Sequence, residues 1–133
     1  MKGPIISNGK NITSILADLH RAMNDSDATG VVIKAQELVE KLPGLSADSA
    51  SGHGLLLGLV QSGKTSALIT SIAMAADNGY TCFVVLTSDN LWLYDQTINR
   101  LKTSLPGLQV EGKFDWDLQA SFMPAKSFHH GVA

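Results

Sequence analysis

Lys64 sits in Gly58-Leu-Val-Gln-Ser-Gly63-Lys64-Thr65, a stretch that matches G-x-x-x-x-G-K-[S/T] at every fixed position. That spacing serves the binding of a nucleotide's phosphates. Glycines let backbone N–H groups approach closely, one lysine reaches the β- and γ-phosphates, and one hydroxyl holds Mg²⁺. The candidate nucleotide contacts are Gly58, Gln61, Ser62, Gly63, Lys64, Thr65 and Ser66. Thr65 is the candidate Mg²⁺ ligand, and Lys64 with Thr65 is the pair that phosphoryl chemistry would use. The expected ligands are ATP or ADP with Mg²⁺.

Such a loop needs a strand before it and a helix after it, so that a helix N-terminus faces the phosphate. Apolar residues over Leu55–Val60 predict the strand. Ser66 to Asp77 reads as the helix, with Leu68, Ile69, Ile72, Ala73 and Ala76 on one face and a stop at Asn78-Gly79. The run Thr81-Cys-Phe-Val-Val-Leu-Thr87 predicts a strand buried on both faces. Ser88-Asp89-Asn90 is a capping cluster, with Asp89 read as the N-cap. A further helix then carries Leu91, Tyr94, Ile98, Leu101 and Leu105 and ends at Pro106-Gly107. Residues 54–107 therefore predict a βαβα unit with a right-handed crossover.

Two helices are expected ahead of that unit. Ile12, Ile15, Leu16, Leu19 and Met23 recur at helical spacing after Asn11, a candidate N-cap. Asn24-Asp-Ser-Asp27 reads as a polar break. A second helix carries Val32, Ala35, Leu38, Val39 and Leu42 and stops at Pro43-Gly44. The expected organisation is an N-terminal helical segment (1–45), a linker (46–53), an α/β P-loop NTPase core (54–111) and an unassigned tail (112–133). The fold class is an α/β P-loop NTPase-type parallel sheet, an incomplete RecA-like lobe preceded by two helices.

Composition sets bounds on function. The chain has 133 residues, 44% hydrophobic and 17% charged, which suits one globular domain. A formal net charge of −2 supplies no overall basic field for nucleic acid. One cysteine, Cys82, excludes an internal disulfide and a multi-cysteine zinc site, and its apolar neighbours predict burial. No apolar run reaches the roughly 20 residues of a membrane span, and the first residues lack a signal-peptide core. A cytoplasmic location without membrane contact is the expectation. His20 reads as a solvated helix residue, and His129-His130 lacks spaced metal-ligand partners.

Val60-Gln-Ser-Gly-Lys-Thr65, Ala75-Ala-Asp-Asn-Gly-Tyr80, Val84-Val-Leu-Thr87 and Gln96-Thr97 with Arg100-Leu101 together resemble a helicase-like ATPase. The nearest match is the Z-one domain, an endonuclease-associated ATPase family related to superfamily-two helicases. The resemblance covers residues 58–105. It implies that Gly63, Lys64 and Thr65 bind ATP phosphates and Mg²⁺, and that Thr87 and Ser88 fall where helicases touch a nucleic-acid backbone. Gln96, Thr97 and Arg100 belong to the same pattern, or else form a solvated helix face.

The chain departs from that pattern in one respect that matters chemically. Helicase-like ATPases carry a second acidic motif, an apolar run ending in Asp-Glu, whose carboxylate anchors Mg²⁺ and positions water. Nothing after residue 107 fits it, and Asp115 and Asp117 lack the apolar run. The expected function is the ATP-binding N-terminal part of a nucleic-acid-acting ATPase, with weak or no turnover by these residues alone. A nucleoside-type small-molecule kinase and a non-enzymatic nucleotide-binding assembly or regulatory module are the alternatives. Expected partners are ATP or ADP, nucleic acid in a full-length protein, and a second copy or another subunit docking on Phe114, Trp116, Phe122 and Phe128.

Overall fold

α1 (Lys10–Ala22), α2 (Asp25–Glu40), α3 (Lys64–Asp77) and α4 (Leu91–Ser104) are the helices of the computed structural model, which describes residues 4–44, 63–86 and 90–105. The chain divides into two compact units, Met1–Phe83 with α1 to α3 and Val84–Ala133 with α4.

α3 is the centre of the first unit and packs against both α1 and α2. Its sequence explains the position. Ala67, Ile69, Thr70, Ile72, Ala73, Met74 and Ala75 are all buried, an apolar surface too wide for one neighbour. The one polar member, Thr70, donates its hydroxyl to the Ser66 carbonyl at 2.7 Å and leaves no unmet group. Met74 and Ala75 meet Ile12 of α1 and Ala35 and Val39 of α2 in one cluster, with Ile5, Val32, Tyr80 and Phe83 against its edge.

Helix ends show how the three run. Asp77, the last residue of α3, accepts from the N–H groups of Asn11 and Ile12 at 3.1 and 2.9 Å, so α1 starts where α3 stops. α2 runs the other way, parallel to α3. Val31 lies beside Gly63 at the start of α3, Val39 beside Met74 and Ala75, and the Tyr80 hydroxyl donates to the Pro43 carbonyl beyond both C-termini. Pro43 and Gly63 therefore lie at opposite ends of the bundle.

Caps set the boundaries. α2 begins at Asn24, whose side chain accepts from the Asp27 N–H at 2.9 Å, with Asp25 and Asp27 in the first turn. The stretch read as a polar break is thus the start of a helix. α1 has Gly9 as N-cap, no side-chain cap and no acid in its first turn. Asn11, expected as the cap, lies inside the helix and donates to Asp77 instead. α3 ends as expected at Asn78-Gly79: Gly79 has φ 96°, and the Gly79 and Tyr80 N–H groups bond the Ala76 and Ala75 carbonyls. That is a Schellman arrangement, with Tyr80 making its apolar contact. α4 starts at Asn90, one residue after Asp89, with the Asn90 side chain accepting from Trp92 and Leu93.

Among the described residues the expected α/β parallel sheet does not form. The described residues contain four helices and no strand. Residues 81–86, expected as a strand buried on both faces, carry no ladder, and Val84 and Leu86 are 81% and 91% exposed. Cys82, expected to be buried, is exposed as well. An apolar β-rich run becomes a strand only where partner strands and covering side chains exist, and the described residues supply no partner strand to it. The predicted strands Leu55–Val60 and Leu108–Glu111 lie outside the described residues. Within α3 the expected face is partly shifted: Ile69, Ile72 and Ala73 are buried, but Leu68 is 41% exposed. α1 and α2 both pack on α3, as expected; of the residues expected at that contact, Ile15 and Leu19 are buried, Leu38 is half-buried and Leu42 is exposed.

Candidate functional site

Gly63 is the residue on which the phosphate-loop reading turns. Its backbone is left-handed, φ 77° and ψ 17°, and it is the N-cap of α3. The left-handed region penalises an L residue by about 1–2 kcal/mol, and glycine escapes that. Space is not the issue, because a Cβ there would meet only Val31 Cγ2 at 3.8 Å. The helix then begins at Lys64, the lysine of the motif. The first intrahelical bond at this end runs from the Ala67 N–H to the Gly63 carbonyl at 2.9 Å. The N–H groups of Lys64, Thr65 and Ser66 therefore precede any intrahelical acceptor.

No acid stands in the first turn of α3 itself, so the helix carries no carboxylate of its own at the positive end of its dipole. Lys64 is exposed, and Thr65 and Ser66 are half-buried. A cation, two hydroxyls and backbone donors around a helix start form a donor set suited to phosphate oxygens and to a hard cation such as Mg²⁺. The structure thus brings Gly63, Lys64, Thr65 and Ser66 together. Gly58, Gln61 and Ser62, the rest of the expected set, lie outside the described residues.

The residues carried over from the helicase resemblance fall elsewhere. Gln96 and Arg100 lie on α4, in the second unit, and line a cleft of about 430 Å³ with Trp92, Asp95, Asn99 and Thr103. Thr97 is turned to the backbone instead, donating to the Leu93 carbonyl at 2.9 Å. This is the polar face of α4, opposite buried Leu101 and Leu105. Thr87, Ser88, Phe114, Trp116, Phe122, Phe128, His129 and His130 lie outside the described residues.

His20 behaves as a solvated helix residue: its Nδ1 lies 2.8 Å from Asp25 Oδ1 across the α1–α2 turn, with both side chains open to water. Among the described residues no three His, Cys, Asp or Glu side chains gather as a metal site. No helix among them is long and apolar enough to cross a membrane.

Sequence reasoning missed Asp77 and Asn78. Asp77 Oδ1 also accepts from Asn11 Nδ2 at 2.8 Å. Asn78 exchanges two bonds with the Ile6 backbone, at 2.8 and 2.9 Å. The available signal is negative, namely a helix start at Gly9-Lys10 with neither a capping side chain nor an acid of its own. Comparison of the chain with protein-family models, curated proteins and solved structures finds no match.

Proposed function

We propose that this chain binds a magnesium-complexed adenine nucleotide, ATP or ADP, through residues 58–66. The observation that carries the reading is one of register: α3 starts at the motif's lysine, directly after a left-handed glycine. A strand–loop–helix phosphate site requires its helix to begin there, so that N–H groups, lysine and hydroxyl converge on one point. An ordinary glycine turn before a helix carries no such requirement. Gly63 to Ser66 hold the phosphates, and Thr65 is the hydroxyl for Mg²⁺. Bound Mg²⁺ would neutralise phosphate charge. The narrower helicase-like reading keeps its motif match over 58–105 but lacks the support that a buried strand at 81–86 would have lent it.

Isothermal calorimetry with Mg-ATP tests the proposal. Wild-type protein is expected to bind, and Lys64→Ala to bind roughly ten- to a hundred-fold more weakly, as expected for loss of a hydrogen bond to a charged group. Equal affinity of the two proteins overturns it.

A further inference from the structure

Met23 and Asn24 alone separate α1 from α2. Both are extended, with φ −149° and ψ 167° at Met23 and φ −67° and ψ 161° at Asn24. The helical ladder lapses only briefly between them. The Met23 N–H still bonds the Leu19 carbonyl, and the ladder resumes where the Ala28 N–H bonds the Asn24 carbonyl. Asn24 already has a helical φ. Turning its ψ and the two Met23 dihedrals to helical values would join α1 and α2 into one helix over residues 10–40. That step gives up the Asn24 cap on the Asp27 N–H and the His20–Asp25 pair. It supplies backbone acceptors to the N–H groups of residues 24–27.

In such a helix the two apolar faces would oppose each other. At 100° per residue, Ile12, Ile15 and Leu19 point about 170° away from Val31, Ala35 and Val39. All six are buried here, so the turn at Met23-Asn24 is what lays two opposed faces on one α3. Straightened, α2 would keep its own α3 while α1 pointed its apolar side at another. The seat that α1 leaves is specific. Asp77 accepts from the Asn11 and Ile12 N–H groups, Asn78 exchanges two bonds with the Ile6 backbone, and Gly9 leaves room for the Asp77 carboxylate. α1 lies mainly on α3 and little on α2, so nearly all that holds it is remade on a second copy.

We propose that two copies of this chain exchange α1. Residues 4–22 of each copy take the α3 seat of the other, and residues 10–40 form one helix. Because the seat's bonds are the same in either form, the hinge decides between them. Asn24, Asp25, Ser26 and Asp27 are weak helix formers, so dilute protein stays closed and concentrated protein exchanges.

Size-exclusion chromatography with light scattering, on the whole chain held concentrated and then diluted, reads the dimer. Asn24→Ala removes the cap and favours helix. Its dimerisation constant should exceed that of wild type about ten- to a hundred-fold, since each dimer has two hinges. Asn24→Pro also removes the cap, but proline suits the φ of −67° and the extended Met23 before it, and it breaks a continuous helix. This variant should stay monomeric. Loss of the cap is common to both, so opposite responses report the hinge itself. A second measurement identifies the partner. In a Cys82→Ser background, Ile6→Cys protein is mixed with Asn78→Cys protein, concentrated and oxidised. A disulfide joining the two species should appear in the dimer peak, and the same mixture carrying Asn24→Pro should lack it. An Asn24→Ala dimer no more abundant than that of Asn24→Pro overturns the exchange, as does a dimer without the cross-copy disulfide.

Discussion

The carboxylate of Asp77 occupies the space that any side chain at position 9 would need. A Cβ built on Gly9 would fall 2.3 Å from Asp77 Cγ and 2.4 Å from Oδ2. Gly9 has ordinary extended dihedrals, so the glycine is required by crowding alone. α1 brings no cap of its own and takes one from the far end of α3.

Two substitutions at this contact should therefore behave as one. Asp77→Ala is expected to destabilise the protein by about 1–2 kcal/mol, the range for a lost N-cap. Gly9→Ala should lose a similar amount by displacing the same carboxylate. Because both remove one interaction, the double variant should fall well short of their sum. Urea denaturation followed by circular dichroism measures all three, and simple additivity would contradict the shared cause.

Glycines elsewhere should respond with different signs. Gly30 sits inside α2, and a Cβ added there would meet nothing within 4 Å. Gly30→Ala should stabilise by about 0.5–1 kcal/mol through helix propensity. Gly63→Ala, in a left-handed backbone, should destabilise by about 1–2 kcal/mol. Melting temperatures that move the same way for both would refute the backbone assignment at Gly63.

On α3, Met74→Ala should cost about 2–5 kcal/mol, because Met74 is wholly buried among α1 and α2 residues. Leu68→Ala, earlier on the same helix and partly exposed, should cost less than about 1 kcal/mol. Comparable losses would mean that α3 is rotated from the position described.

Val84→Ser and Leu86→Ser should each change stability by less than about 0.5 kcal/mol, as exposed positions do. A loss of several kcal/mol in chemical denaturation would restore the buried strand that the apolar run suggests.

Helix existence is legible in the sequence, because periodic apolar spacing reports a face to be buried. Ile12, Ile15, Leu19, Ala35 and Val39 all lie where that spacing puts them. The end of α3 is legible too, since Asn78-Gly79 carries its own geometry. The state of residues 81–86 is not, because a strand's neighbours are supplied by distant chain and leave no local mark. Asp77 stands within a recognisable motif, but its partners are 65 and 66 residues away. Within the site, the motif predicts a helix beginning close to Lys64, and α3 begins there. The parallel course of α2 and α3, by contrast, is revealed only by the packing.

The Asp77 cap also fixes a schedule. During synthesis α1 is made first, yet the groups that close its N-terminus arrive only after another 65 residues have been added. At translation rates of ~5–20 residues per second, α1 waits ~3–13 s with an open end. Over that interval the nascent amino-terminal segment should remain digestible by protease, and ribosome-bound chains arrested before Asp77 emerges should never acquire the resistance of the released protein.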